Sequence, residues 1–197
     1  AVESLELSIQ SLYVGLNNLL GFDTAERYTI EYTADTEPVS VEAGIESYVT
    51  RKLSTDPYIK IQEANAESAK FGVNAYAYDG ASESYMSKEV KMKTAERTLK
   101  DTSDSMREKI RSTYNSLQQL EANRISLETA LSTAQRNYDT AKKNFEIGNT
   151  TQLAVDQAAL AVKQAETNIL TNDFNYDTAK FTFENPSMLV MSGSSAS

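Results

Sequence analysis

Residues 99–148 read LKDTSDSMREKIRSTYNSLQQLEANRISLETALSTAQRNYDTAKKNFEIG. Within them Leu99, Ser103, Met106, Ile110, Thr113, Leu117, Leu120, Arg124, Leu127, Leu131, Ala134, Tyr138, Ala141 and Phe145 follow one another in alternating steps of four and three, without a slip. Such steps place side chains on one stripe of a helix, and over this many turns they define a coiled-coil seam. A strict seven-residue repeat predicts a left-handed supercoil. Extended back to about Ser84, the helix would span ~90 Å at ~1.5 Å per residue.

Gly148 ends the stretch. Glycine is the usual residue just past a helix C-terminus, and Asn149, Thr150 and Thr151 supply capping side chains for the next helix. That helix has its own ladder, Val155, Ala158, Val162, Ala165, Ile169, Asn172, Tyr176, Ala179 and Phe183. A second set, Leu153, Leu160, Phe174 and Phe181, reads as an adjacent stripe, giving a seam wide enough for two neighbours. Asn185-Pro186 stops the helix, and 187–197 reads as a mobile tail.

Upstream, Val2, Leu5, Ile9, Leu12, Leu16 and Leu19 repeat the same stepping, and Gly21 closes that helix. It begins with no capping residue before it, which reads as a fragment whose upstream part is missing. Residues 22–56 read as a linker. It would hold a short extended or β segment near 27–33, where Tyr28, Ile30 and Tyr32 alternate with polar residues, and a short helix from about Ser40 to Leu53. Asp56-Pro57 then opens a helix to about Tyr78, with Ile59, Ala66 and Val73 on its buried face. Asp79-Gly80 marks a turn. The fold class expected is all-α, built of long antiparallel coiled-coil hairpins. Its parts are 1–21, the linker 22–56, a helical hairpin domain 57–186 and the tail.

Composition agrees. Only 7 Gly and 3 Pro interrupt 197 residues, so helix breakers are few. A net charge of −9 argues against nucleic acid and against anionic lipid, both of which need a basic face. With no His and no Cys, the histidine triad, the usual zinc sites and disulfides are ruled out. No apolar run approaches the ~18 residues of a membrane-spanning helix. The acid pairs Asp101/Asp104 and Glu121/Glu128 read as a solvated face rather than a catalytic cleft. Asp173 to Glu184 copies the ligand spacing of a calcium loop, but Thr178 stands where that loop turns on glycine, and the ladder runs through it. The expectation is therefore no enzyme, no catalytic residues, no cofactor and no metal. Ser103, Thr113 and Arg124 in the seam read as register-setting polar residues rather than a pore or ligand track. The tyrosines read as amphipathic packing residues.

The segment from Phe145 through Gly148, Thr151, Leu153 and Val155 to Ala158 resembles the hairpin turn of TolC-type outer-membrane efflux proteins, with an aromatic, a glycine, a hydroxyl and apolar residues in the family's order. Tyr114-Asn115-Ser116-Leu117 resembles the family's approach helix, and Asn175-Tyr176 with Ala179 its return helix. Leu16 to Gly21 resembles the end of the first repeat, and Asp56-Pro57 the opening of the second. The resemblance thus spans most of the chain.

It implies a helical conduit component of an efflux or secretion assembly, located in the cell envelope. It further implies a homo-oligomer meeting a periplasmic adaptor (membrane fusion) protein and an inner-membrane transporter, with Phe145, Gly148, Thr151, Leu153 and Val155 as the partner-binding tip. Two departures stand out. About Ala75 to Met86 is too short for the family's β-hairpin, since one spanning strand needs ~10 residues. Just past the turn, where some relatives carry acidic residues, stand Ala154, Asp156 and Gln157. The alternatives are a coiled-coil adaptor or spacer that forms no channel and, less well supported, a ligand-binding four-helix bundle with no evident ligand residues.

Overall fold

The computed structural model describes residues 2–28, 33–41, 43–77 and 83–187. These hold five helices and no strand, in two compact units, 1–33 and 34–197. The segment read as a linker is therefore divided, its first part belonging with α1 (Val2–Leu20) and its second with the helical hairpin. The extended segment expected near 27–33 and the Asp79-Gly80 turn fall largely or wholly outside the described residues, as does the tail from Met188.

In the first unit, Gly21 takes φ 75° and Phe22 N–H reaches back to the Asn17 carbonyl, a helix stop that needs a left-handed residue. Asn17 is fully buried and fully used: its amide donates to the Asp23 and Glu26 carbonyls, and its side-chain oxygen accepts from the Tyr28 hydroxyl. Tyr13 packs edge-on against Tyr28 and donates to its carbonyl. The α1 seam residues Leu5, Ile9, Leu12 and Leu19 are exposed.

In the second unit α4 (Tyr85–Glu146) is the axis. Its 62 residues make a helix ~93 Å long. Ser84 caps its start, accepting from Ser87 N–H. Against it pack α3 (Pro57–Asn74) and α5 (Gln152–Glu184), while α2 (Ile45–Thr55) packs on α3 and α4. The long helix and the hairpin stand as the heptads predict. Two boundaries differ. Helix α2 starts at Ile45 rather than near Ser40, because Gly44 takes φ 79° and breaks the register. Helix α3 stops at Asn74, short of Tyr78, with Ala75 as its cap.

Helix α5 runs back along α4 in constant register: Arg124 meets Asp173, Glu121 meets Tyr176, and Tyr114 meets Phe183. Seven residues along one helix answer seven along the other, as knobs-into-holes packing requires. At the head of this hairpin lies the core, with Val49, Ile59, Met106, Ile110, Leu117, Tyr176 and Phe183. Tyr48 of α2 stacks on Phe183 at 4.4 Å. Lys52 donates to the last carbonyl of α5 (Glu184, 2.7 Å), where a cation complements the helix dipole. Asp56 ends α2 and caps α3, accepting from the Tyr58 and Ile59 amides, with Pro57 in the first turn. Arg111 of α4 grips Glu46 of α2 through two nitrogens at 2.9 and 2.8 Å, which lowers the Glu46 pKa.

Candidate functional site: the hairpin tip and the outer face of α5

The turn between α4 and α5 is a complete Schellman motif. Gly148 takes φ 78°, its N–H donates to the Phe145 carbonyl at 2.9 Å, and Asn149 N–H donates to the Asn144 carbonyl at 2.7 Å. Thr151 then caps α5, its hydroxyl oxygen accepting from Ala154 N–H at 3.3 Å. The chain thus reverses within a few residues, and the tip needs no support from elsewhere.

Of the residues expected at a partner-binding tip, Phe145, Gly148, Thr151 and Leu153 are exposed there. Val155 is turned inward and buried in the seam. Ile147, which the sequence reading passed over, is among the most exposed apolar residues of the tip at 68 %. Its signal was available: it sits between the last ladder residue and the glycine, outside both helical stripes.

The second apolar set of α5 is not adjacent to the first. A step of two residues, as from Leu153 to Val155, turns a helix by ~200°. Leu153, Leu160, Phe174 and Phe181 therefore lie opposite the seam, and all four are 56–65 % exposed. Leu170 joins them. The expectation of one broad seam is corrected to two opposed faces, one packed on α4 and one largely exposed. On α4 the corresponding outward positions Asp101, Glu108, Asn115, Thr129 and Arg136 are exposed and polar, with Ala122 the exception in the series.

The polar residues of the hairpin seam reach across it. Asn123 donates to Asn172 at 2.9 Å, Asn172 donates to the Leu120 carbonyl at 3.2 Å, and Arg124 pairs with the buried Asp173 at 2.8 Å and with Glu128 at 3.2 Å. The bonds that pass between the two helices are each made in only one register (Arg124–Glu128 lies within α4), so Arg124 acts as the register-setting residue expected. Ser103 does not reach across: its hydroxyl donates to Leu99 of its own helix. Glu121 is not on a solvated face either. It is half-buried and accepts from the Tyr176 hydroxyl at 2.9 Å. Burial, with that bond to a carboxylate, pushes the Tyr176 pKa up to about 12. Residues 173–184, with their calcium-like spacing, are helix throughout, and Asp173 is committed to Arg124.

Among the described residues no cluster of three or more acidic side chains could hold a metal, and no helix is long and apolar enough to cross a membrane. Comparison with family models, curated proteins and solved structures returns no match for this chain.

Proposed function

We propose that the chain is a non-catalytic helical conduit component of a TolC-type efflux or secretion assembly in the cell envelope. In this reading it works as a homo-oligomer, and its tip meets a periplasmic adaptor protein that couples it to an inner-membrane transporter. The observation that carries the reading is the double-faced α5. A free-standing two-helix rod needs one seam, whereas a helix in the wall of a tube has a neighbour on each side. The turn pattern of Phe145, Gly148 and Thr151, with Ile147 and Leu153 exposed beside it, supplies an apolar tip for docking.

One observation favours the second reading, a coiled-coil spacer that forms no channel. Alongside α5, over residues 101–136, the outward face of α4 is polar apart from Ala122 and Ile125, so the apolar surface for lateral packing there is one-sided, and only nearer its start does α4 expose Tyr85, Met86 and Val90. Electron microscopy of cross-linked oligomers separates the two. The conduit reading expects closed rings with a central lumen. Bundles of hairpins without a lumen would favour the spacer.

A further inference from the structure

Residues 34–41, Ala-Asp-Thr-Glu-Pro-Val-Ser-Val, belong to the hairpin unit yet hold no helix or strand of their own. They lie on the hairpin through side chains of the helices beneath. The Tyr176 hydroxyl is the centre of the attachment. It accepts from Val39 N–H at 3.1 Å, and its proton lies between the Glu37 carbonyl at 3.1 Å and the Glu121 carboxylate at 2.9 Å. One turn on, Lys180 donates to Asp35 at 2.6 Å and to the Glu37 carbonyl at 3.3 Å. Val39 and Val41 pack on the edge of the core. Among the described residues, the only hydrogen bond between its main chain and other main chain is the turn from Gly44 N–H to Val41.

We propose that this segment is a detachable strap, and that the α4–α5 groove beneath it is a docking site for an extended acidic peptide of the form Asp-x-Glu-Pro-Val-x-Val. Three features support it. The receptor does not depend on its ligand, because α4 and α5 pair beside the groove through Asn123–Asn172 and Arg124–Asp173 without the strap. The ligand is shaped in advance: Pro38 fixes its own φ and disfavours a helical conformation at Glu37, so little is lost on docking. Its ends are set off from the helices, since the division between the two units falls at Thr33/Ala34 and Gly44, in a left-handed conformation, turns the chain into α2. The recognition pairs a lysine with an aspartate and a buried phenol with peptide main-chain groups, while two valines fill the core edge. The inference does not rest on the conduit reading.

Two measurements on the full chain test it. The first is amide hydrogen exchange at Val39 in the parent, Tyr176→Phe, Lys180→Gln and Asp35→Asn. The phenylalanine keeps the ring in the core and removes only the hydroxyl. A detachable strap predicts that each change speeds exchange at Val39 by about tenfold or more, the factor of one net hydrogen bond, including Asp35→Asn four residues away. Amides at Leu117 and Val162 should keep their parent rates. The second uses the full chain with 34–41 replaced by Gly and Ser, titrated with a labelled peptide of residues 34–41. Saturable binding is expected, weakened at least about tenfold in the peptide carrying Asp35→Asn. Unchanged Val39 exchange in Asp35→Asn and Lys180→Gln overturns the strap. Binding no better than a scrambled peptide overturns the groove as a docking site.

Discussion

Replacing Gly148 tests the hairpin turn in isolation, because the structure separates backbone strain from crowding. A Cβ added at Gly148 would meet nothing within 4 Å, so a larger side chain has room. What remains is φ 78°, which an L residue adopts at ~1–2 kcal/mol. Gly148→Ala should therefore cost about 1 kcal/mol, and Gly148→Val about 2, since a β-branched side chain is the least tolerant of that region. Gly148→Asn should cost a few tenths, because asparagine tolerates the left-handed conformation. The hairpin itself should survive. Val155, Tyr176 and Phe183, buried in the seam, hold it with roughly 5–9 kcal/mol of transfer free energy at ~1.5–3 kcal/mol per fully buried side chain, and the half-buried Val162 and Ile169 add to this. Thermal melts followed by circular dichroism are the assay, with a fall in melting temperature of about 4–8 °C for valine and near-parent helicity before the transition. Alanine and valine variants as stable as the parent would refute the reasoning, as would an asparagine variant less stable than the valine one.

Other outcomes follow from the same structure. Gly72 lies within α3 with nothing within 4 Å of its added Cβ, so Gly72→Ala should stabilise by about 0.5–1 kcal/mol, read as a raised urea midpoint. Arg124→Leu leaves the buried Asp173 carboxylate unpaired and should cost about 1.5–3 kcal/mol, less than a fully buried pair because Arg124 is partly exposed. Adding Asp173→Leu should recover most of that in a double-mutant cycle, so additive losses would speak against the pair. Tyr176 should stay protonated at pH 11, where ordinary tyrosines have ionised: absorbance at 295 nm should not distinguish the parent from Tyr176→Phe there, and should do so only near pH 12. The sign follows from the raised pKa. Its contribution to stability is complete below the ordinary tyrosine pKa of 10.0 and is lost as pH rises through about 12.

Most of the hairpin was legible because a coiled coil is governed by a local repeat. Leu99 to Phe145, the glycine at 148, the cap at Thr151 and Asp56-Pro57 each state their role within a few residues. The outward stripe of α5 was visible as a set of residues but placed on the wrong side, an error that the ~200° turn from Leu153 to Val155 corrects. What was not legible depends on partners far apart in the chain. Nothing around Val39 announces Tyr176, and nothing around Glu121 announces that its carboxylate accepts a hydrogen bond from a phenol rather than from water. The start of α2 was misplaced because the propensity of Ser40 to Ala43 gives no sign that Gly44 turns left-handed. Ile147 falls outside both stripes, so neither ladder carries a sign of it.

The proposed conduit requires that the exposed face of α5 be a contact between copies of the chain. Sedimentation velocity of the parent and of a Leu153→Glu/Leu160→Glu variant over a range of concentrations addresses it directly. Both positions are exposed, so the charges should not disturb the fold, which circular dichroism checks on the same samples. The account predicts a parent that assembles beyond its 21.8 kDa monomer as concentration rises, and a variant that stays monomeric. A parent that remains monomeric throughout, or a variant that assembles as the parent does, would contradict it.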